Sequence, residues 1–444
     1  MIVPRARLLF WTSLVVLPCA FLAGTAPDMA APSFAMMGIL LLLAMADAIA
    51  ARKNIAGISV ELPAVARMSK DREAILKLGI RNQKQRRRTM RIGLPWPREI
   101  ESSTDVLDAQ LPAQSEWSQL SWSCTPRKRG NYKFNEVYLE GESPLGLWAA
   151  RKPVPVQSEI RVYPNLLNDR KNLSALFLNR GHFGLHAQRQ VGKGRDFEKL
   201  RDYMPGDGYD EIHWKATARR GKPITKLFQI EKTQEVYVIV DRSRLSARTA
   251  GESIGDASAL ERFVTAALVL GLAAEQQGDS FGLLAFGDKV EKFVRAKNGQ
   301  AHYNACRDAL YTLQPEIVTP DFDELCTFIR LRLRRRALLI FLTALDDPAV
   351  AESFVRSLAL IRRQHLILVN MLQPPGVKPL FSNPAVKDLD DIYKELGGHL
   401  RWQKLRELQK ILGRMGVQFS LLKNERLSAE LVSQYLSVKQ RQLL

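Results

Sequence analysis

The chain has 444 residues and a formal net charge of +19, too long for one typical domain and enough for two or three, each with its own core. Its Lys and Arg are scattered rather than gathered into a stripe, so the excess suits a body facing anionic lipid headgroups, and nucleic acid is not an expected partner. Cys19, Cys124, Cys306 and Cys326 stand far apart without a Cys-x-x-Cys pair, which excludes a disulfide framework and a cysteine zinc site.

After MIVPRAR, residues 8–26 form an apolar run, a Pro27-Asp28 turn follows, and residues 34–50 form a second run broken by Asp47. Each is close to the ~20 residues a spanning helix needs. Arg5 and Arg7 precede the first run, Arg52 and Lys53 follow the second, and the connecting turn carries no basic residue. The positive-inside rule therefore predicts a two-pass helical hairpin over 1–53 with both ends and the soluble domains cytoplasmic, and the lipid bilayer is the first expected partner. A second apolar run, in place of a small-residue cleavage site and polar sequence, argues against a removed leader.

Residues 54–165 change character. The runs ISVEL, AILKLGI, TMRIGL, SQLSWSC, YKFNEVYLE and SEIRVYP alternate apolar and polar between Pro, Gly, Asn and Ser punctuation, which predicts an antiparallel β-sandwich. The basic cluster at 81–91 reads as a solvated hairpin. Residues 166–191 are polar and aperiodic, a linker; His182 and His186 are four apart there but lack a third ligand.

Residues 192–221 read GKGRDFEKLRDYMPGDGYDEIHWKATARRG. Glycines and a Pro-Gly pair break the stretch into turns, yet Phe197, Leu200, Tyr203, Ile212 and Trp214 recur at a density that predicts burial. The charges alternate in sign, as expected of an ordered segment held by Arg–carboxylate pairs. A signature segment is accordingly placed at 192–232.

The fixed spacing of Asp196, Phe197, Glu198, Leu200, Arg201, Tyr203, Pro205, Gly206, Asp207, Ile212, Trp214, Lys215, Ala216, Ala218 and Arg219 resembles the signature of the bacterial family known as domain of unknown function fifty-eight. RKRGNYKFNEVYL and SPLGLW, further upstream, resemble segments that members carry before it. The resemblance implies a bacterial inner-membrane protein with a von Willebrand factor A-like domain, associated with MoxR-type AAA ATPases.

From 233 to 444 strands and helices alternate. VYVIVD (236–241), ALLIFLT (337–343) and LILVNML (366–372) are near-continuous apolar runs, as expected of strands covered on both faces. Further strands are expected at 280–287, 290–296 and 418–422, and helices at 258–277, 303–313, 322–335, between 343 and 366, at 389–415 and from 428. This predicts a doubly wound, mostly parallel α/β sheet.

In such a sheet a site lies beyond the carboxyl ends of the strands. There Asp241-Arg242-Ser243-Arg244-Leu245 resembles the Asp-x-Ser-x-Ser metal motif of von Willebrand factor A domains, with Asp241 and Ser243 in place and Leu245 where the second serine belongs. By the same resemblance Ala344, after Thr343, takes the position of an aspartate ligand. One aspartate and one serine are too few for Mg²⁺, which asks for near-octahedral oxygen coordination; no cofactor is expected, and Asp241 is expected to cap backbone amides or to pair with Arg201 or Arg219.

The chain shows no phosphate loop, no His-Glu-x-x-His and no Gly-x-Ser-x-Gly. The reading is a non-enzymatic adaptor working with a MoxR-type AAA ATPase, no residue being assigned to catalysis. Its partner surface is formed by Asp196, Glu198, Arg201, Tyr203, Asp207, Trp214, Lys215 and Arg219, with Trp214 and Tyr203 expected to reach the core. The alternative is a hydrolase using Asp196, Glu198, Asp207 and His213 as acid–base groups.

Overall fold

The computed structural model describes residues 1–167, 169, 191–205, 208–229, 234–250, 257–380, 382 and 389–441, with backbone alone for 191–199, 227–229 and 389–390. His182, His186 and nearly all of the 166–191 connection lie outside the described residues. The chain divides into two compact units, Met1–Asn165 and Leu166–Leu444.

In the first unit, helices α1 (Ala6–Thr25) and α2 (Ala30–Ile55) are joined by a 3₁₀ turn at Pro27–Met29. Both are long and apolar enough to cross a membrane. Phe10, Leu17, Phe21, Phe34 and Leu42 stand exposed along them, the pattern of helices whose apolar surface is not spent on a protein core.

The β-rich remainder forms two sheets. One runs β1 (Ile2–Pro4), β10 (Trp148–Tyr163), β9 (Gly130–Glu142), β5 (Arg88–Gly93), β7 (Val106–Leu111), with β3 (Val65–Ser69) also on β10. The other runs β2 (Ile58–Glu61), β4 (Ala74–Asn82), β8 (Trp117–Pro126), β6 (Ile100–Ser102). Leu78, Ile80, Ile92, Trp122, Leu139 and Ile160 fill the space between them, and the Trp122 indole N–H donates to Ser102 Oγ at 2.8 Å, the polar partner a buried indole needs.

Two features depart from a purely antiparallel sandwich on a separate anchor. β3 runs parallel to β10, Ala66 facing Ile160, because Pro63 cannot continue the β2 ladder and the chain crosses there to the other sheet. The N-terminus joins the sandwich as well: β1 pairs with β10, Val3 facing Ala149. α2 lies against the same sheet, and a Cβ on Gly141 would sit 2.9 Å from Ile55 Cγ1.

In the second unit a ribbon of β11 (Val191–Asp202) and β12 (Ile224–Gln229) carries the short helix α3 (Trp214–Arg220). The α/β sheet follows, in the order β15 (Val290–Lys297), β14 (Ser280–Phe286), β13 (Glu235–Asp241), β16 (Leu338–Leu342), β17 (Leu366–Leu372), β18 (Gln418–Leu422). All pairs are parallel except β14 with β15.

Alternate residues of each strand enter opposite cores, which is why these strands read as continuous apolar runs. Val236, Val238 and Val240 face α4 (Ala259–Gln276), α5 (Gln300–Leu310) and α9 (Leu427–Gln440). Tyr237 and Ile239 face α6 (Phe322–Arg332), α7 (Pro348–Leu358) and α8 (Leu389–Arg414). Ser258 caps α4 by accepting from the Glu261 N–H, and Gly271 brings this helix onto the sheet, since a Cβ there would lie 2.9 Å from the Phe281 ring. The chain winds outward from β13 both ways, so the sheet is doubly wound and its order reverses between β13 and β16.

Candidate functional site

The signature segment folds back on itself. On the ribbon Asp202 faces Ile224 and Arg201 faces Thr225, and the turns between the strands close locally. Tyr203 donates its N–H to the Pro223 carbonyl at 3.0 Å and His213 donates its own to Ile224 at 2.8 Å. His213 Nδ1 accepts from the Ala216 N–H at 3.0 Å, capping α3, and Gly221 ends the helix at φ 67. Thr217 Oγ1 accepts from the Ile224 N–H at 3.0 Å. His213, the acid–base candidate, is thus a helix cap in this fold.

Ile212, Ile224 and Thr225 are buried in this small construction. Trp214 is not: it is 68 % exposed, with Tyr209 at 78 % and Met204 at 61 %, against the expectation that Trp214 reaches the core. Tyr203 is half-buried. The reason is geometric: the ribbon is two strands wide, α3 covers one patch of it with two turns, and among the described residues none of its side chains joins either core of the sheet. Apolar density alone does not say which side chains turn outward.

Lys215, Arg219 and Arg220 lie exposed on α3, the helix that Trp214 opens. Arg201 is half-buried and donates to the Asp202 carbonyl at 3.4 Å. Among the described residues Lys222 pairs with Asp202 at 2.7 Å, both exposed, and hydrogen bonding from Lys222 holds the Asp202 carboxyl below its ordinary pKa. Asp207 lies outside the described residues; Asp196 and Glu198 lie on β11, where the backbone alone is described.

The second cluster lies where β13 and β16 end. Their register pairs Val240 with Leu342, so the next residues, Asp241 and Thr343, come side by side. Asp241 is fully buried; its Oδ1 accepts from the Ser243 N–H at 2.8 Å and its Oδ2 from Thr343 Oγ1 at 2.6 Å. Burial raises the Asp241 pKa against these hydrogen bonds. Of the two alternatives for Asp241, it caps a backbone amide; neither Arg201 nor Arg219 is its partner.

Thr343, which sequence reasoning left without a role, meets Asp241 through the β13–β16 register. Nearby, Asp346 pairs with Arg248, Asp347 caps α7 through the Ala349 N–H at 3.0 Å, and Leu245 is buried in the core. Ser243 Oγ and Asp346 Oδ1 are buried without a hydrogen-bond partner among the described residues.

A divalent ion fits this set poorly. Both Asp241 oxygens are engaged, Leu245 brings carbon where a hydroxyl would be needed, and the described residues contain no group of three or more His, Cys, Asp or Glu placed to hold a metal. Asp241→Ala is expected to cost about 2 kcal/mol by orphaning a buried N–H and a hydroxyl, whereas Asp241→Asn keeps the Ser243 N–H on its oxygen and donates its amide N–H to a reversed Thr343 hydroxyl, and costs less. Hydrogen exchange of β13 and β16 amides checks the order, and equal losses for the two variants would refute it.

A family model described as a protein of unknown function, DUF58, matches residues 199–378. Uncharacterized proteins of Mycobacterium bovis and Mycobacterium tuberculosis are each 25% identical over 206 residues, covering 45% of this chain and 61% of theirs. The chain thus matches about three-fifths of the length of these curated relatives.

Among solved structures, an aerotolerance-related membrane protein from Bacteroides fragilis shares 15% identity over 45% of this chain and 97% of its own, with a TM-score of 0.30. A conserved hypothetical protein, BatB, from Bacteroides thetaiotaomicron shares 13% over 47% and 99%, with a TM-score of 0.28. The family match runs from Lys199, near the end of β11, to Lys378 beyond β17, and so takes in α3, β12 and the sheet strands β13 to β17.

Proposed function

We propose that the protein is a two-pass bacterial inner-membrane adaptor, non-enzymatic, with its soluble units cytoplasmic and its α/β unit of the von Willebrand factor A-like kind. It works with a MoxR-type AAA ATPase in protein assembly or cell-envelope maintenance. The observation that carries the reading is the exposure of Trp214, Tyr209 and Met204 in the segment that joins the ribbon strands, with Lys215, Arg219 and Arg220 exposed on the same short helix as Trp214. Aromatic side chains beside cations are the composition of protein interfaces rather than of solvated surface.

The doubly wound sheet and the Asp241, Ser243 pair support the von Willebrand factor A-like assignment, and the signature's resemblance supports the ATPase as partner. In this reading the carboxyl end of the sheet works without a resident divalent ion, the Thr343 hydroxyl and the Ser243 amide holding Asp241 instead.

The test is purification of the full-length protein from detergent-solubilised native membranes, with co-purifying proteins identified by mass spectrometry. A MoxR-type ATPase should be enriched over an unrelated two-pass control. Trp214→Ala should weaken the complex by about 2 kcal/mol, roughly 30-fold in Kd, as for an interface anchor. A variant that keeps full affinity, with α3 amide protection unchanged, would remove this surface from the interface.

A further inference from the structure

Asp47 interrupts an apolar helix, and its surroundings show why. α2 has 26 residues, about 39 Å of helix at 1.5 Å per residue against roughly 30 Å of bilayer hydrocarbon. An upright helix of that length reaches past the hydrocarbon. The Asp47 carboxylate is buried against the turn joining β9 to β10: Oδ2 accepts from Ser143 Oγ at 2.6 Å and from the Leu147 N–H at 3.2 Å, and Oδ1 accepts from the Leu145 N–H at 3.0 Å. The Trp148 indole N–H donates to the Ala44 carbonyl at 2.8 Å.

α1 meets the same turn. Leu8, Ala44 and Leu147 form one apolar cluster, Arg5 donates its N–H to the Leu147 carbonyl at 3.0 Å, and its guanidinium pairs with Glu142 at 2.6 Å. Arg7 lies over Gly146, where a Cβ would come within 2.9 Å of its Nη1 and where φ is 70.

The environment of α2 changes at this level. Leu41, Leu42, Leu43 and Met45 before Asp47 and Ile49 just after it are exposed, whereas Ala51 and Ile55 in the last turns are buried against Ala150 of the sandwich. The end of the apolar span and the β9–β10 turn therefore share one level, with Leu145 exposed on the turn and Arg7, Arg52 and Lys53 exposed beside it.

We infer that the turn from Ser143 to Trp148 is seated in the headgroup layer of an anionic bilayer, latched there by Asp47, so that the sandwich is fixed to the membrane surface rather than tethered to it. Two observations choose this occupant. The apolar helices meet the turn through Leu8, Ala44 and Leu147, and with Glu142 already paired to Arg5 the remaining charges, Arg7, Arg52 and Lys53, are cationic, complementary to anionic headgroups. The inference rests on the membrane-spanning reading of α1 and α2.

Full-length protein reconstituted in phosphatidylcholine–phosphatidylglycerol vesicles tests it. The native cysteines are buried, so a thiol introduced at the surface is the one labelled by an environment-sensitive fluorophore. Leu145→Cys reports on the turn, Lys128→Cys on the far end of β9, about 40 Å away at 3.3 Å per residue, and Leu41→Cys on the span. Headgroup nitroxide lipids should quench the label at 145 several-fold more than at 128, and acyl-chain nitroxides should quench at 41. Equal quenching at 145 and 128, with 41 quenched, would overturn the seated turn and leave the span intact. No quenching at 41 would overturn the spanning reading itself, and the inference with it.

Discussion

Asp279→Ala is expected to remove about 3–4 kcal/mol from the α/β unit, because a buried phenol, a backbone amide and a partly exposed ammonium lose the carboxylate they share. Asp279 sits in the turn between α4 and β14 with 1% of its surface exposed. Its Oδ2 accepts from the Tyr435 hydroxyl and from Lys439 Nζ, the latter at 2.8 Å, and its Oδ1 accepts from the Gln234 N–H at 3.2 Å. Tyr435 and Lys439 both belong to α9, so one carboxylate ties the last helix to the start of β14 and to the residue that leads into β13. Burial, together with this neighbouring carboxylate, holds the Tyr435 phenol above its ordinary pKa, so it stays a donor.

The variant would leave the phenol and the amide without their acceptor, and Lys439 with the Gln277 carbonyl at 3.1 Å alone. In the full-length protein, amides of α9 should lose protection roughly 10²- to 10³-fold wherever exchange proceeds through opening of this unit, at about 1.4 kcal/mol per tenfold. Asp279→Ala combined with Lys439→Met should lose less than the sum of the two single losses, because both remove the same ion pair. Unchanged protection in the single variant would mean that the cluster does not hold α9 in place.

Much of the fold was legible because burial leaves a compositional trace. A parallel strand covered on both faces has no polar side to display, so 236–241, 337–343 and 366–372 could hardly be read otherwise. The two apolar runs at the N-terminus were equally plain. What escaped were contacts whose partners are distant in sequence. Asp47 read as a break in an apolar run, since its partners lie at 143–147. The parallel β3 was hidden because alternation gives a strand's faces and not its direction.

The candidate site was half legible for a related reason. The spacing marked the signature segment, and the position after VYVIVD marked Asp241, but neither states which way a side chain turns. Trp214 was expected inside from its apolar character and stands outside, because a two-stranded ribbon offers little interior. Thr343 reaches Asp241 through strand register, which a single sequence does not display.

Acid should destabilise the α/β unit through one histidine. His365, just before β17, is 4% exposed, and neither ring nitrogen has a hydrogen-bond partner among the described residues. Burial pushes its pKa down from the ordinary 6.5 to about 4. Folded protein therefore keeps the imidazole neutral where the unfolded chain already binds a proton, so this contribution is intact above pH 6.5 and is lost as pH falls from there toward 4. A shift of that size amounts to about 3 kcal/mol at its full extent, at roughly 1.4 kcal/mol per pH unit.

Asp241 works in the opposite sense, because its raised pKa means that the folded state binds a proton more readily than the unfolded chain. The total pH profile therefore understates the histidine. The difference between wild type and His365→Leu cancels Asp241 and every other group common to both, and leucine suits an apolar site of this size. Between pH 7 and pH 4 the stability of wild type relative to that variant should fall by about 3 kcal/mol, as read from unfolding of the α/β unit in detergent. A difference that stays flat across this range would show that His365 is protonated in the folded state as readily as in the unfolded chain.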